Sequence, residues 1–364
     1  MEKYKIKFYL YDIYIFLIVF FKGIGLEANN VLYMIAFAFG CLAIFLKVSN
    51  EKYSTREIWS MLFIVSVGLL NYAIGKYSTI LFMALGIVGL KYVDINRTIK
   101  LALITKIFAF ILMLLACFLG IIENTVFEFE RNGEIINRYA LGYSHPNTLQ
   151  QNVTIIIILF LYLCNNRLHM WHYAVLFLGE YWFYKITFSR TGFLIGCICI
   201  LLSISTRNKV IRKYMMKCTK RVYELCMIIT LLEGFLYGKV GILYLIDEML
   251  TGRIRCIHNL LASGLPHWIG NTSYNSFVNF DNGYMTLLYQ GGILAFGWVM
   301  YYMMRAYKMA YEKDDYLRYV LMLEFAIYAL TEGFFPNIAL NISLLFIGEI
   351  LFEKDKKRKY CIKI

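Results

Sequence analysis

Polar side chains that could do chemistry are concentrated in four short segments of this chain: residues 138–147, 189–192, 252–255 and 281–284. Three of the segments contain arginine, which stays charged and can hold phosphate or carboxylate oxygens through two parallel hydrogen bonds. The first segment adds His145 and Asn147, and the last contributes Asp281 and Asn282. Several arginines brought together with a histidine and an aspartate would form a site for an anionic ligand.

Each segment also has a purely structural interpretation. Pro146 is tolerated in the first turn of a helix, with Asn147 or Thr148 as its cap, and Asp281 or Asn282 could cap another helix. Arg190 could extend to lipid headgroups from a helix end, and Arg253 and Arg255 could bind anionic headgroups. Either interpretation requires helices that hold the segments at a membrane surface.

The composition predicts those helices. Of 364 residues, 60% are hydrophobic and 17% are charged, and the mean hydropathy is +0.59. Apolar stretches long enough for membrane crossing recur along the chain. We predict an all-α polytopic membrane protein, a single transmembrane domain over residues 1–364, with about twelve helices. They lie near 8–26, 29–47, 57–75, 77–91, 98–122, 148–164, 170–188, 191–206, 221–238, 284–305, 316–333 and 337–352.

Charge distribution predicts the orientation. Lysine and arginine accumulate in the connections 91–100, 207–221 and 305–318 and in both terminal segments, which are therefore expected in the cytoplasm. The same bias accounts for the net charge of +13, so no nucleic-acid partner is expected. The two long polar connections, 123–147 and 239–283, then lie outside, and the second is apolar enough to be partly helical.

Ionisable residues inside the predicted helices are further candidates. Glu180, Glu233 and Glu332 interrupt or end apolar stretches, and Asn341 lies inside the last one. Such residues are functional candidates by default, although pairing with a base such as Lys22, Lys106 or Lys185 is the structural alternative. The nine cysteines have no metal-binding spacing, and the sequence lacks phosphate-loop, HExxH and GxSxG motifs, so no metal or other cofactor is expected.

The order of the motifs resembles that of the Wzy-type polysaccharide polymerases. The matching elements are Arg138-x-x-Leu-Gly-Tyr-x-His-Pro-Asn147, Ser189-Arg190-Thr-Gly, Gly252-Arg253, Asp281-Asn282-Gly-Tyr284 and Gly291-Gly292. The resemblance extends from about residue 94 to residue 352, while the first four helices match only in hydropathy. It implies a GT-C-like fold in the bacterial cytoplasmic membrane and an inverting, metal-independent glycosyltransferase that joins oligosaccharide repeat units carried on undecaprenyl diphosphate.

The resemblance also implies roles for individual residues. Arg190 and Arg253 correspond to the functional arginines of the external loops, and Arg138 is a third candidate. Asp281 or His145 could be the general base, since both residue types can accept the proton of an acceptor hydroxyl. The sequence departs here from the related O-antigen ligases, where histidine is common near the position of Asp281, so the choice between the two residues stays open. The other candidate substrate-binding residues are Asn147, Arg255, Asn282, Tyr284 and Glu332.

Two alternative functions fit the same sequence. An O-antigen ligase would share the fold and the donor but transfer to another acceptor. A polysaccharide flippase or another secondary transporter would also have about twelve helices, although such proteins usually show two similar halves and this chain has no visible repeat. For the polymerase, the expected partners are the lipid-linked oligosaccharide, the bilayer, a chain-length regulator and a flippase.

Overall fold

The computed structural model describes residues 2–26, 30–131, 134–270 and 281–353. The first eight helices follow the predicted apolar stretches closely. Ser54 begins α3 with a capping box that includes Glu57, and Asp94 caps α5, so local signals set these helix starts. The helices are α1 (Glu2–Gly23), α2 (Val31–Ser49), α3 (Thr55–Gly75), α4 (Thr79–Val88), α5 (Ile95–Phe118), α6 (Pro146–Cys164), α7 (Met170–Thr187) and α8 (Arg190–Ser205).

The second half of the described chain is more broken than the sequence predicts. The predicted helix 284–305 is divided at Gly291 and Gly292, where a side chain on Gly292 would meet the Ile269 backbone at 2.6 Å. The predicted helix 337–352 begins instead with a turn, continues as the short 3-10 helix Ile342–Leu345 and is α-helical only over Phe346–Leu351. The helices are α9 (Lys209–Cys218), α10 (Val222–Leu236), α11 (Ile242–Met249), α12 (Arg253–Ser263), α13 (Gly283–Tyr289), α14 (Gly292–Glu312), α15 (Tyr316–Tyr328) and α16 (Phe346–Leu351).

Four helices in the described chain are long and apolar enough to cross a membrane: α2, α3, α5 and α6 with its 3-10 extension to Arg167. Their outward faces carry large apolar side chains such as Phe39, Phe45 and Trp59, which are exposed. Contiguous apolar surface of this kind is suited to lipid. The chain is therefore a mostly helical protein whose apolar helices indicate a membrane location, and the count of twelve crossings stays a prediction.

The described chain is mostly helical, as the all-α prediction requires, and one β-hairpin that the sequence analysis did not predict lies in the first predicted external loop. Strand β1 (Val126–Arg131) pairs antiparallel with β2 (Glu134–Tyr139), and Phe127 stands opposite Arg138. The second predicted external loop contains α11 and α12, as its apolar content predicted. Residues 271–280 of that loop, 132–133 of the hairpin and the basic terminal segment 354–364 lie outside the described residues.

The bundle has two chemically different ends. The starts of α6 and α8 lie at the same end as Glu332, which follows the end of α15. At the opposite end of α15, about 20 Å away for a helix of this length, the Tyr319 hydroxyl donates to the Met216 carbonyl and the Tyr307 hydroxyl donates to the Thr219 carbonyl. These bonds join the end of α9 to α14 and to the start of α15, so the basic connections 207–221 and 305–318 lie at that end of the bundle.

Candidate functional site

A cavity of about 80 Å³ lies where β2 and the starts of α6, α8 and α12 meet. Four residues singled out from the sequence line it: Arg138, Asn147, Arg190 and Arg253. This volume holds several water molecules or a compact polar group. The lining is completed, among the described residues, by Phe129, Ile136, Phe188, Ser189, Thr191 and Thr251.

The start of α8 points at this cavity. Ser189 is the residue before the helix, yet its side chain makes no capping hydrogen bond, and its Oγ is buried without a partner. Uncapped N–H groups and the helix dipole make such a terminus attractive to anions. Arg190, the first helical residue, is exposed and forms no ion pair within the described part of the chain. The N-terminus of α8 therefore combines the positive charge of Arg190 with the Ser189 hydroxyl, which has no hydrogen-bond partner.

Arg138 connects the hairpin to two helices. Its Nε donates to the Thr187 carbonyl at 2.7 Å, and one terminal nitrogen donates to Asn147 Oδ1 at 2.6 Å. The guanidinium thus holds together the end of α7, the start of α6 and strand β2. The α7–α8 connection that presents Arg190 is fixed through the same contact.

Arg253 is almost fully buried, with 5% of its surface exposed. One terminal nitrogen lies 3.1 Å from Glu332 Oε1 and 3.5 Å from Asp281 Oδ2. The other donates to the Leu250 carbonyl and to Thr251 Oγ1, each at 3.2 Å. Its Nε is buried without a hydrogen-bond partner. Arg253 therefore keeps one unused donor while bridging two carboxylates.

The turn before α12 sets the position of Arg253. Thr251 and Gly252 have φ angles of +59° and +86°, the left-handed region that is uncommon for a β-branched residue. This pair of left-handed residues reverses the chain so that α12 begins with Arg253 inside the protein. The signal in the sequence is Gly252 alone, because threonine does not predict this conformation.

The two carboxyl groups next to Arg253 differ in accessibility. Glu332 is buried in the turn after α15 and also accepts from Gln151 Nε2 at 3.3 Å, whereas 39% of the Asp281 side chain is exposed. Burial raises the pKa of Asp281, and the Arg253 charge offsets part of that rise. Asp281 is thus the accessible carboxyl of the pair.

His145 is the cap of α6, so the expectation that Asn147 or Thr148 caps this helix was wrong. Its Nδ1 accepts from the Asn147 N–H at 3.1 Å, and its ring lies 5.0 Å from that of Phe127. Proline at the first helical position leaves the preceding residue in extended backbone, which suits a cap. Burial lowers the pKa of His145, and the Arg138 charge lowers it further.

Three other candidates lie away from the cavity lining that the structure describes. Asn282 caps α13 through Met285 N–H and donates to Thr230 Oγ1 and the Leu330 carbonyl, which confirms the capping alternative. The Tyr284 hydroxyl donates to the Ala326 carbonyl. Arg255 is exposed on α12, and its backbone N–H donates to Asp247 Oδ1. Their proposed contacts with substrate remain predictions.

A buried polar network beneath the α7–α8 connection was missed by sequence reasoning. Glu180 Oε1 accepts from Gln150 Nε2 and Thr154 Oγ1, each at 2.8 Å. Gln150 Oε1 in turn accepts from Thr187 Oγ1 at 2.8 Å. The structural alternative for Glu180 was pairing with a lysine, but these neutral donors hold one of its oxygens, and Lys106 donates to Asn152 Oδ1 instead. The sequence signal that could have revealed this network is the pair Gln150 and Thr154, two polar residues one turn apart on the otherwise apolar α6.

Two glycines of α8 make room for this network. A side chain on Gly192 would meet Gln150 Cγ at 2.5 Å, and one on Gly196 would meet Glu180 Oε1 at 2.3 Å. Small residues four apart allow α8 to pack this closely against α6 and α7. The network therefore reaches from the interior to Thr187, whose carbonyl accepts from Arg138.

No protein-family model matches this chain, and neither curated proteins nor solved structures give a significant match. Arguments about function rest on the site itself. Within the described ranges, no group of three or more histidine, cysteine, aspartate or glutamate side chains is arranged to hold a metal ion.

Proposed function

We propose that the protein is a glycosyltransferase that polymerises oligosaccharide repeat units carried on undecaprenyl diphosphate. The observation that supports this most is the convergence of Arg138, Arg190 and Arg253 on one cavity at the uncapped start of α8. Such a site suits a phosphate-bearing ligand. The resemblance of the same segments to Wzy-type polymerases supplies the identity of the substrate.

The proposed reaction needs charge stabilisation more than a protein nucleophile. A hydroxyl of the acceptor unit attacks the anomeric carbon of the donor sugar, the bond from that carbon to the diphosphate oxygen breaks, and the configuration inverts. Negative charge grows on the departing undecaprenyl diphosphate, where fixed cations lower the barrier most. Arg190 and Arg253 hold this diphosphate, and Arg138 orients the α7–α8 connection and adds a third charge.

Asp281 is the proposed general base that takes the proton of the acceptor hydroxyl. Its carboxylate is partly accessible and lies 3.5 Å from Arg253, next to the expected diphosphate position. His145 is less suited, because its Nδ1 already accepts the Asn147 N–H. Since burial raises the pKa of Asp281 above its ordinary value, the rate should fall as the pH is lowered through that raised value.

The proposal places the protein in the bacterial cytoplasmic membrane, with about twelve crossings and both termini in the cytoplasm. The cavity then faces outward, where flipped lipid-linked units would arrive, and a flippase and a chain-length regulator would be partners. An impermeant thiol reagent applied to intact cells should label a cysteine at position 239 and not one at position 213, on a cysteine-free background. The reverse pattern would invert this orientation.

A reconstituted reaction tests the activity. Purified protein in detergent should convert undecaprenyl-diphosphate-linked repeat units into a ladder spaced by one repeat, without a nucleotide sugar and with little effect of chelation. Asp281→Asn should slow the ladder strongly and remove the acid limb of its pH profile, whereas His145→Gln should slow it mildly. A strong effect of His145→Gln alone would move the base to that residue.

The ladder also separates the alternatives. A transporter has no membrane to work across in detergent and would form no ladder, and a ligase would transfer a single unit to a different acceptor. If no ladder forms with any lipid-linked repeat unit from the source cell, the polymerase proposal is wrong.

A further inference from the structure

A larger cavity of about 550 Å³ lies at the opposite end of the bundle, between α10 and α14. Its size is within the range of small-molecule sites. Four basic residues line it: Lys220, Arg221, Arg305 and Lys308. The rest of the lining is formed by Glu224, Tyr301, Met304, Tyr307, Tyr311 and Glu312.

The charges around this cavity are unbalanced. Four cations face two carboxylates, and the one ion pair among the described lining residues, Lys308 with Glu312 at 3.7 Å, is largely exposed and therefore weak. Arg305 donates to the Tyr301 hydroxyl at 3.2 Å and lies over its ring. The remaining positive charge favours an anionic ligand.

The protein surface along α10, next to the cavity, is apolar. Leu225, Ile228 and Leu232 follow one another at intervals of three and four residues, so they share one face of α10, and Arg221 is the residue that precedes this helix. The three apolar side chains are exposed. A ligand held at Arg221 by its anionic group could therefore extend a hydrocarbon chain along this face.

Helix α9, next to the cavity in the chain, has the character of a membrane-surface helix. Val210, Ile211 and Tyr214 are exposed, and they alternate with basic residues of the same helix: Lys209, Arg212, Lys213 and Lys217. Amphipathic basic helices of this kind lie at the headgroup level of anionic bilayers. The cavity lining begins at Lys220, just after this helix in the chain, which favours a ligand with a phospholipid headgroup.

We infer that the α10–α14 cavity binds an anionic glycerophospholipid, with its phosphate between Arg221 and Arg305 and an acyl chain along the exposed face of α10. Basic pockets between membrane helices are suited to such headgroups. The inference depends neither on the glycosyl transfer reaction nor on the arginine cavity at the other end.

Native mass spectrometry of the full-length protein in detergent tests this, with phosphatidylglycerol and phosphatidylcholine as probes. The double variant Arg221→Gln/Arg305→Gln should bind phosphatidylglycerol about 30-fold more weakly, since each basic residue near a headgroup contributes about a factor of five to affinity. Arg221→Gln alone should lose about fivefold. Phosphatidylcholine binding should not change.

The matched control is a double variant that loses two positive charges at positions away from the cavity. Lys52 and Lys100 are exposed and lie outside the cavity lining, so Lys52→Gln/Lys100→Gln should leave phosphatidylglycerol binding unchanged. Equal losses in both double variants would show a general charge effect and overturn the site. Retention of wild-type affinity by Arg221→Gln/Arg305→Gln would also overturn it.

A second arm distinguishes a lipid from a soluble phosphate. Ile228→Ser changes the apolar face and leaves the cations in place, and it should weaken phosphatidylglycerol binding severalfold. Glycerol 3-phosphate at millimolar concentration should compete poorly. If it displaces phosphatidylglycerol readily and Ile228→Ser has no effect, the cavity is a soluble phosphate site and the lipid assignment is wrong.

Discussion

Two clusters of charged side chains in this protein illustrate different uses of buried charge. The closed cluster consists of Lys47, Glu51, Glu57 and Lys91, between the ends of α2 and α4 and the start of α3. Lys47 pairs with Glu51 and Lys91 pairs with Glu57, each at 2.8 Å, and Lys47 also donates to the Lys91 carbonyl. Two cations meet two carboxylates, and all four side chains are almost completely buried.

The open cluster consists of Arg138, Arg190, Arg253, Asp281 and Glu332. Its three arginines line one cavity, its two carboxylates both contact Arg253, and the Ser189 hydroxyl in the cavity lining has no hydrogen-bond partner. Buried charge therefore does not by itself mark a binding site. What distinguishes the open cluster is positive charge left over at a place that a ligand can reach.

The largest expected effect is on activity, in the open cluster. Arg190→Ala should slow the polymer ladder about 100- to 1,000-fold, the usual consequence of removing one donor to developing negative charge. Because Arg190 is exposed and has no ion pair among the described residues, the variant should keep its wild-type melting temperature. Arg190→Lys should recover little, since bidentate contact is lost.

Two comparisons make this result specific. Lys239 is an exposed basic residue in the predicted external loop 239–283 and outside the cavity lining, so Lys239→Ala should have no effect. Arg255→Ala decides whether that exposed arginine, two residues beyond Arg253, contributes to substrate binding.

Wild-type ladder formation and undecaprenyl diphosphate binding by Arg190→Ala would remove Arg190 from the site. Arg253→Ala is a less clear test, because it leaves Glu332 and Asp281 without their common partner.

The closed cluster should respond in stability rather than in ligand binding. Lys91→Met leaves the buried Glu57 carboxylate unpaired and should cost about 3 kcal/mol of unfolding free energy. The double variant Lys91→Met/Glu57→Gln should be more stable than the single variant, because no uncompensated charge remains. Thermal unfolding in detergent measures both. Loss of undecaprenyl diphosphate binding by correctly folded Lys91→Met would contradict the distinction between the clusters.

The smallest expected effect concerns the support of the open cluster. Gly196→Ala places a methyl group 2.3 Å from the present position of Glu180 Oε1, so the network that reaches Thr187 must shift. We expect about tenfold slower ladder formation, because small displacements of positioned groups are costly. Gly179→Ala on α7 meets nothing within 4 Å and is the matched control. Equal rates for the two variants would show that the network does not position the site.

Part of the site was predictable because its signals are local. Ser189, Arg190 and the start of α8 coincide with the end of an apolar stretch, and the motif around His145 and Pro146 marks the start of α6. The division of the predicted helix at Gly291 and Gly292 was not foreseen, since its cause is the close approach of the Ile269 backbone. The left-handed turn at Thr251 was likewise not foreseen.

The sequence by itself determined the apolar helices, most of their ends and the unequal distribution of basic residues, because hydropathy and capping act over a few neighbouring positions. The tertiary structure alone decided that Arg138, Arg190 and Arg253 line one cavity and that Asp281 and Glu332 share Arg253. It also decided that Gln150 and Thr154, and not a lysine, hold Glu180. These relations depend on how helices distant in the chain pack together, and no local pattern specifies that packing.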